Sequence, residues 1–331
     1  MQRIHSAGAL SFEWQRNECG DEYGTESSDD REFSPVFITG PHRSGTTILY
    51  RILAETGLFN ITTAYHVLNR HRLLYLHRKG LEQEARQELA ELFARHGLKD
   101  REFDSVPITP DIPEEYAYAL EPQGRRPMLN RRTQRSFLNF CRKVQSVQSK
   151  GRPLLLKNPF DAANFVYTKE LLPAARFIYI HRSPADVVNS QIKTLRSLLE
   201  RKNEYVALVV RRYRQLYEHA LQLALVRHFS SDKYPLLFRR VLGNILHTNR
   251  YYLQNVHRIE GACYDVTYRA MCSDPNGTIQ KILDFLQLHQ LGSANYSGLI
   301  SPRAPSLLDE VSRRTDEIRR KTRAYCDRFG F

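Results

Sequence analysis

Residues 35–53, PVFITGPHRSGTTILYRIL, constrain the fold of this chain more than any other stretch. An apolar run of strand character meets a loop bounded by Gly40 and Gly45, and an apolar-periodic helix follows. Such a junction aims loop N–H groups and the positive end of a helix at one point, where a phosphate or sulfate would sit. Arg43 adds charge, Ser44, Thr46 and Thr47 add hydroxyl donors, and Pro41 and His42 complete the loop. A turn without a ligand requires none of these side chains.

The spacing matches the phosphate-loop pattern G-x-x-x-x-G-K-[ST] except at the Lys, where Thr46 stands. A nucleotide triphosphatase uses that Lys on the β/γ-phosphates and the next hydroxyl on Mg²⁺, so its loss weakens a kinase reading and keeps the anion site. The charge of +13 (49 − 36) favours a polyanionic ligand: a nucleotide, a sulfated or phosphorylated substrate, nucleic acid or an anionic membrane surface. Five cysteines, widely spaced and never in C-x-x-C, read as free thiols of a reducing compartment, and neither a zinc pattern nor an EF-hand is present. With no apolar run of membrane-span length and no signal-type N-terminus, the expected compartment is the cytoplasm.

Residues 1–33 are polar and aperiodic and read as a flexible tail; a single domain is expected over 34–331, with a helical substrate-side insertion at about 66–150. Apolar runs at 152–157 and 175–180 have the composition of strands buried on both faces of a parallel sheet, joined by a helix over 160–172. A fourth strand is expected at 263–268, and helices at 66–104, 184–200, 203–228 and 237–258. Residues 122–152 hold nine Lys or Arg and no acid, which reads first as a helix with a solvated basic face and second as an anion or lipid-headgroup surface. Peripheral membrane contact therefore stays open. The fold class is α/β, a three-layer α/β/α arrangement of phosphate-loop type with a central parallel sheet and helical insertions.

The third strand runs into HRSPADVVNS, which places Arg182 at a strand's carboxyl end and Ser190 in the next helix. Ligands of open α/β sheets bind at that edge, and two anion sites there fit a ligand with two separated anionic groups. Together GPHRSGTT, LLLKNPF, the Arg182/Ser190 spacing and VTYRAMCSDPNGTIQKILDFLQL resemble the sulfotransferases that use 3′-phosphoadenosine 5′-phosphosulfate (PAPS), over about 34–290. The segment KNPFDAANFVYTKELLPAARFIYIHRSPADVVNS is most similar to the tyrosylprotein and bacterial carbohydrate or lipid branches.

The resemblance implies a sulfuryl transfer from PAPS to a hydroxyl or amine, leaving 3′-phosphoadenosine 5′-phosphate (PAP) and needing no metal. It implies that the loop Pro41–Thr47 holds the 5′-phosphosulfate, that Arg182 and Ser190 grip the 3′-phosphate, and that Tyr268 lies near the adenine. Lys157 would meet the bridging oxygen, although alone it reads as a solvated strand-end lysine. Pro159 occupies the place of the cytosolic branch's catalytic His, Arg269 and Ala270 stand where acids are usual, and the C-terminal 3′-phosphate loop has no clear counterpart.

Related branches place a general-base Glu beyond the first helix; LFNITTAYHVLN holds none there, which makes His66 the expected base, with His247, Glu114 and Glu115 as rivals. The acceptor, a small molecule, glycan or lipid, and the oligomeric state are not specified by the sequence. Two other readings are a small-molecule kinase, opposed by Thr46, and a nucleic-acid-binding protein, opposed by the absence of a reading motif.

Overall fold

The structure is a computed structural model that describes residues 33–101, 107–120, 127–289, 295–300 and 306–331. Most of the expected 1–33 tail lies outside the described residues. Five parallel strands form the sheet: β1 (Val36–Thr39), β2 (Asn60–Ile61), β3 (Leu154–Lys157), β4 (Arg176–His181) and β5 (Cys263–Thr267), in the order β2-β3-β1-β4-β5.

Alternation along the strands builds the three layers. Val36, Ile38, Leu155, Ile178 and Ile180 pack on one face with the helices Thr46–Glu55 and Pro275–Leu286. Phe37, Leu154, Leu156, Phe177 and Tyr179 pack on the other with Phe137, Phe165 and Tyr252, each such side chain contributing about 1.5–3 kcal/mol of burial. Both faces are covered, which is why these strands read as continuous apolar runs.

Parallel pairing puts every carboxyl end at one edge. Ile38 pairs with Lys157, Thr39 with Tyr179 and His181 with Thr267. The Gly40 loop, Lys157, Arg182 and Tyr268 consequently emerge side by side from four neighbouring strands.

Four strands fall where the sequence places them. The edge strand β2 was not expected: two residues carry no periodicity, and its Asn60 is buried, donating to Ser149 O at 2.8 Å. The 66–104 helix is three helices, Ala64–Leu68, Leu73–Lys79 and Glu82–Arg95, the last break set by Gly80 in the left-handed conformation (φ 67°). The 203–228 helix is likewise three, with breaks at Val210, which is extended, and at His219, which leaves helical backbone (ψ 84°). The basic 122–152 segment, where described, holds the helix Gln134–Ser146, and one of its cations is turned inward: Lys143 is buried and donates to Arg70 O at 3.2 Å. The four cysteines among the described residues are free.

Candidate active site at the strand ends

The loop after β1 is built on left-handed backbone. Gly40 has φ 143°, and a Cβ there would stand 2.6 Å from Ile180 O; Gly45 has φ 111°, and a Cβ there would stand 2.6 Å from the Tyr268 ring. Neither position admits a side chain. Between them Arg43 adopts φ 69°, a strained conformation costing on the order of 1–3 kcal/mol, and Ser44 N–H closes the turn on Pro41 O at 3.1 Å.

Gly45 starts the helix Thr46–Glu55 without a side-chain cap, and its first turn holds no acid. The Ser44 hydroxyl is buried and has no hydrogen-bond partner among the described residues. An uncapped helix start, an orphaned buried hydroxyl and two glycines at van der Waals limits make a cradle that fits a tetrahedral anion.

A second group of side chains joins this loop directly. Arg43 Nε donates to Ser190 Oγ at 3.0 Å, Gln191 Nε2 donates to His42 O at 2.8 Å, and Arg182 Nη1 approaches Arg43 O at 3.4 Å. The Arg182 guanidinium lies 4.2 Å from the centre of the Tyr268 ring, whose edge closes over Gly45. The sequence assigns Arg43 to one anion site and Arg182 with Ser190 to another; in the fold the two are contiguous, because β1 and β4 are neighbours. Just before Arg182, buried His181 spans Asp265 Oδ1 at 3.0 Å and Tyr325 O–H at 2.8 Å, tying β4 to β5 and to the helix Arg323–Phe329. Burial holds that imidazole below its usual pKa despite Asp265.

Lys157 is 1% exposed, not a solvated strand end. Its Nζ donates to Thr47 Oγ1 at 2.9 Å and pairs with Glu115 Oε1 at 2.9 Å. The second carboxylate oxygen of Glu115 is buried with no hydrogen-bond partner among the described residues. Burial raises the pKa of Glu115, but Lys157, followed by His42 and Arg101, outweighs it and holds the carboxyl below its ordinary value.

Neighbouring Glu114 is engaged elsewhere. It faces Arg101 at 3.5 Å, accepts from the Tyr205 hydroxyl, and accepts the Glu115 N–H at 2.9 Å. The segment that carries both acids is pinned by backbone bonds, Ala64 N–H to Ile112 O at 3.0 Å, Tyr65 N–H to Pro110 O at 2.7 Å and Glu114 N–H to Thr62 O at 2.8 Å.

His66 sits in this neighbourhood but has another task. Its Nδ1 accepts the Thr63 N–H at 3.2 Å and meets Thr63 Oγ1 at 2.8 Å, closing a reciprocal cap on the helix Ala64–Leu68. Burial, then the charge of Arg86, pushes its pKa down to about 3. Among the described residues no hydrogen bond or ion pair joins His66 to Lys157, Thr47 or Glu115. His247 is exposed on the helix Leu236–Asn255, its ring 6.5 Å from Tyr251.

Sequence reasoning missed Asp161. It accepts from Tyr116 O–H at 2.5 Å, Asn158 Nδ2 at 2.8 Å, Asn164 Nδ2 at 3.0 Å and Leu129 N–H at 3.1 Å, and burial lifts its pKa to about 6. It anchors the turn Asn158–Asp161, and with it the end of β3, to two other segments. The only available signal was N-P-x-D directly after Lys157.

A family model described as the sulfotransferase family matches residues 35–242. The chain belongs to the sulfotransferase family. The sulfotransferase STF9 of Mycobacterium avium shares the fold with a TM-score of 0.60 at 14% identity, over 91% of this chain and 78% of that one. STF1 of Mycobacterium tuberculosis H37Rv gives 0.51 at 16% identity, over 87% and 76%. No curated protein sequence matches. The expected three-layer fold with a parallel sheet is therefore that of a sulfotransferase; the strand-end residues from Gly40 to Ser190 lie within the matched region, and β5 with Tyr268 lies beyond it. Among the described residues no cluster of His, Cys, Asp and Glu has the makings of a metal site.

Proposed function

We propose that this sulfotransferase takes PAPS as donor and moves its sulfuryl group to a hydroxyl or amine of a small-molecule, glycan or lipid acceptor. The observation that carries the reading is Lys157, buried at the end of β3 between the hydroxyl of the phosphate-loop helix and the carboxylate of Glu115. The Gly40–Thr47 cradle would hold the 5′-phosphosulfate through backbone N–H groups and the Ser44, Thr46 and Thr47 hydroxyls. Arg43, Arg182 and Ser190 would take the 3′-phosphate, and Tyr268, already stacked with Arg182, offers a flat surface for the adenine.

In the transfer the acceptor oxygen attacks sulfur, the bond from sulfur to the bridging oxygen breaks, and that oxygen leaves with the electron pair on PAP. Lys157 offsets the charge developing there. The acceptor's proton goes to Glu115 Oε2. The geometry favours Glu115 over His66 as this base, since Glu115 is the titratable group in contact with Lys157 while His66 Nδ1 serves the cap. Pairing with Lys157 keeps the carboxylate ionised and ready; as Lys157 turns to the bridging oxygen, its hold on Glu115 is shared and the carboxylate becomes more basic.

The test is a transfer assay with sulfur-labelled PAPS against hydroxyl and amine acceptors, run beside calorimetric titration with PAP and AMP. PAP is expected to bind more tightly than AMP, and Arg182→Ala to remove the difference. Equal affinities for the two nucleotides would overturn the assignment of the 3′-phosphate site.

A further inference from the structure

The helix Ala220–Ser230 turns an apolar stripe outward. Leu221, Leu225 and Phe229 recur every four residues and are 77%, 51% and 47% exposed, while Leu223 faces in. Leu236, 49% exposed, extends the stripe into the next helix, since the intervening Tyr234 packs on the Phe229 and His228 rings. Single exposed leucines are ordinary, but four on one face within sixteen residues are not. The helix is firmly seated: Arg196 Nε donates to Ser230 O at 3.0 Å and Arg227 Nε to Leu199 O at 2.6 Å, both against the helix that carries Ser190.

The surrounding charge identifies what covers the stripe. Over residues 211–240 the exposed cations are Arg211, Arg212, Arg227, Lys233, Arg239 and Arg240, against the exposed acids Glu218 and Asp232. A two-fold contact with a second copy would bring this basic rim against itself. An apolar stripe bordered by cations matches the interface of an anionic bilayer, where leucine and phenylalanine enter the acyl boundary and Lys and Arg meet the headgroups. No helix among the described residues is long and apolar enough to cross a membrane, so the contact is peripheral.

We infer that the 220–240 face docks this protein on anionic lipid surfaces. The stripe is separate in sequence from the basic 122–152 segment and from the residues assigned to the nucleotide. Co-sedimentation of the full chain with phosphatidylcholine vesicles, with and without about 30 mol% phosphatidylserine, tests it. Binding is expected only with the anionic lipid and is expected to fall at least about tenfold in about 0.5 M salt. The variant Leu221→Gln/Leu225→Gln/Phe229→Gln and the variant Lys233→Gln/Arg239→Gln/Arg240→Gln should each lose about tenfold or more while PAP affinity stays unchanged. The second variant alters no apolar contact and covers the case in which the first melts early. Binding to neutral vesicles alone, or wild-type binding by both variants, overturns the inference. So does a dimer in solution that the apolar variant splits, which would give the face to a second copy.

Discussion

On one side of Lys157 lies Thr47, held by the Gly40–Gly45 loop and the helix behind it; on the other lies Glu115, held by a segment whose only regular structure is the 3₁₀ turn that follows it. The first side is local: eight consecutive residues, Gly40 to Thr47, supply the glycines, the Arg and the hydroxyls, and their backbone folds back on itself. The second is assembled from afar, since residues 110–114 are fixed by bonds to residues 62–65, and Glu114 is fixed by Arg101 and Tyr205. An anion cradle made of backbone needs a short contiguous motif, whereas a carboxylate beside it needs only a rigid support, from any part of the chain. The donor side is thus constrained in sequence and the acceptor side is free to vary.

Removing the residue that the two sides share should have the largest effect. Lys157→Ala is expected to lower kcat by about 10³-fold through the lost charge at the leaving oxygen. It also leaves Glu115 buried and unpaired, which costs about 3–5 kcal/mol of stability. Adding Glu115→Gln should restore much of the melting temperature but none of the rate. If the single variant melts like the wild type, the ion pair does not join the two sides.

Glu115→Gln alone isolates the acceptor side. Turnover should fall by about 10²–10³-fold, within the range for a lost general base, while PAP affinity changes little. The linkage also has a defined sign: the carboxyl's pKa is depressed in the fold, so its stabilising contribution is present above the ordinary carboxylate value and lost as pH falls through the lower folded value. Acid unfolding of the variant should accordingly be shallower below about pH 4.3. Retained turnover in Glu115→Gln would return the base to the other candidates.

Asp161 slopes the other way. Its pKa is raised to about 6, so its favourable contribution is complete below the ordinary value and is lost as pH rises through about 6. Relative to Asp161→Asn, the wild type should lose about 3 kcal/mol of stability between pH 4 and pH 7, the equivalent of a shift of about two units. A carboxyl NMR titration with its midpoint below 4 would remove this effect and leave Asp161 as a plain ionised anchor.

The same division explains what could be read in advance. β1, β3 and β4 are apolar on both faces and announce themselves, and Arg43, Arg182, Ser190 and Tyr268 follow strand ends at short intervals, so one parallel edge gathers them. Neither Glu114 nor Glu115 carries such a mark. Two acids after three prolines look like any solvated loop, and only the fold shows one against Arg101 and the other against Lys157. His66 attracted attention because an imidazole near neutral pKa is rare and the position beyond the first helix was otherwise without a base. The sequence T-x-x-H also writes a cap, with a side chain at each end of the turn reaching the other's backbone.

His66→Gln is therefore the substitution with the smallest expected effect, and the one that separates the two sides most sharply. Gln at that position can still accept the Thr63 N–H, so the cap should survive and stability should change by less than about 1 kcal/mol. With a pKa near 3 the ring is neutral throughout the working range, so its removal should not move the pH profile of kcat/KM. His66→Ala removes the half of the cap made by the ring and should cost about 1 kcal/mol. The loosened helix Ala64–Leu68 is bonded to Ile112 and Pro110, so a few-fold loss of kcat, reversed in the Gln variant, would report slack transmitted to Glu115. A loss of about 10²-fold or more in His66→Gln at unchanged melting temperature would be the signature of a base and would move the role from Glu115 to His66. The sulfotransferase assignment would stand either way, because the cradle, Lys157 and the family match do not depend on which of the two takes the proton.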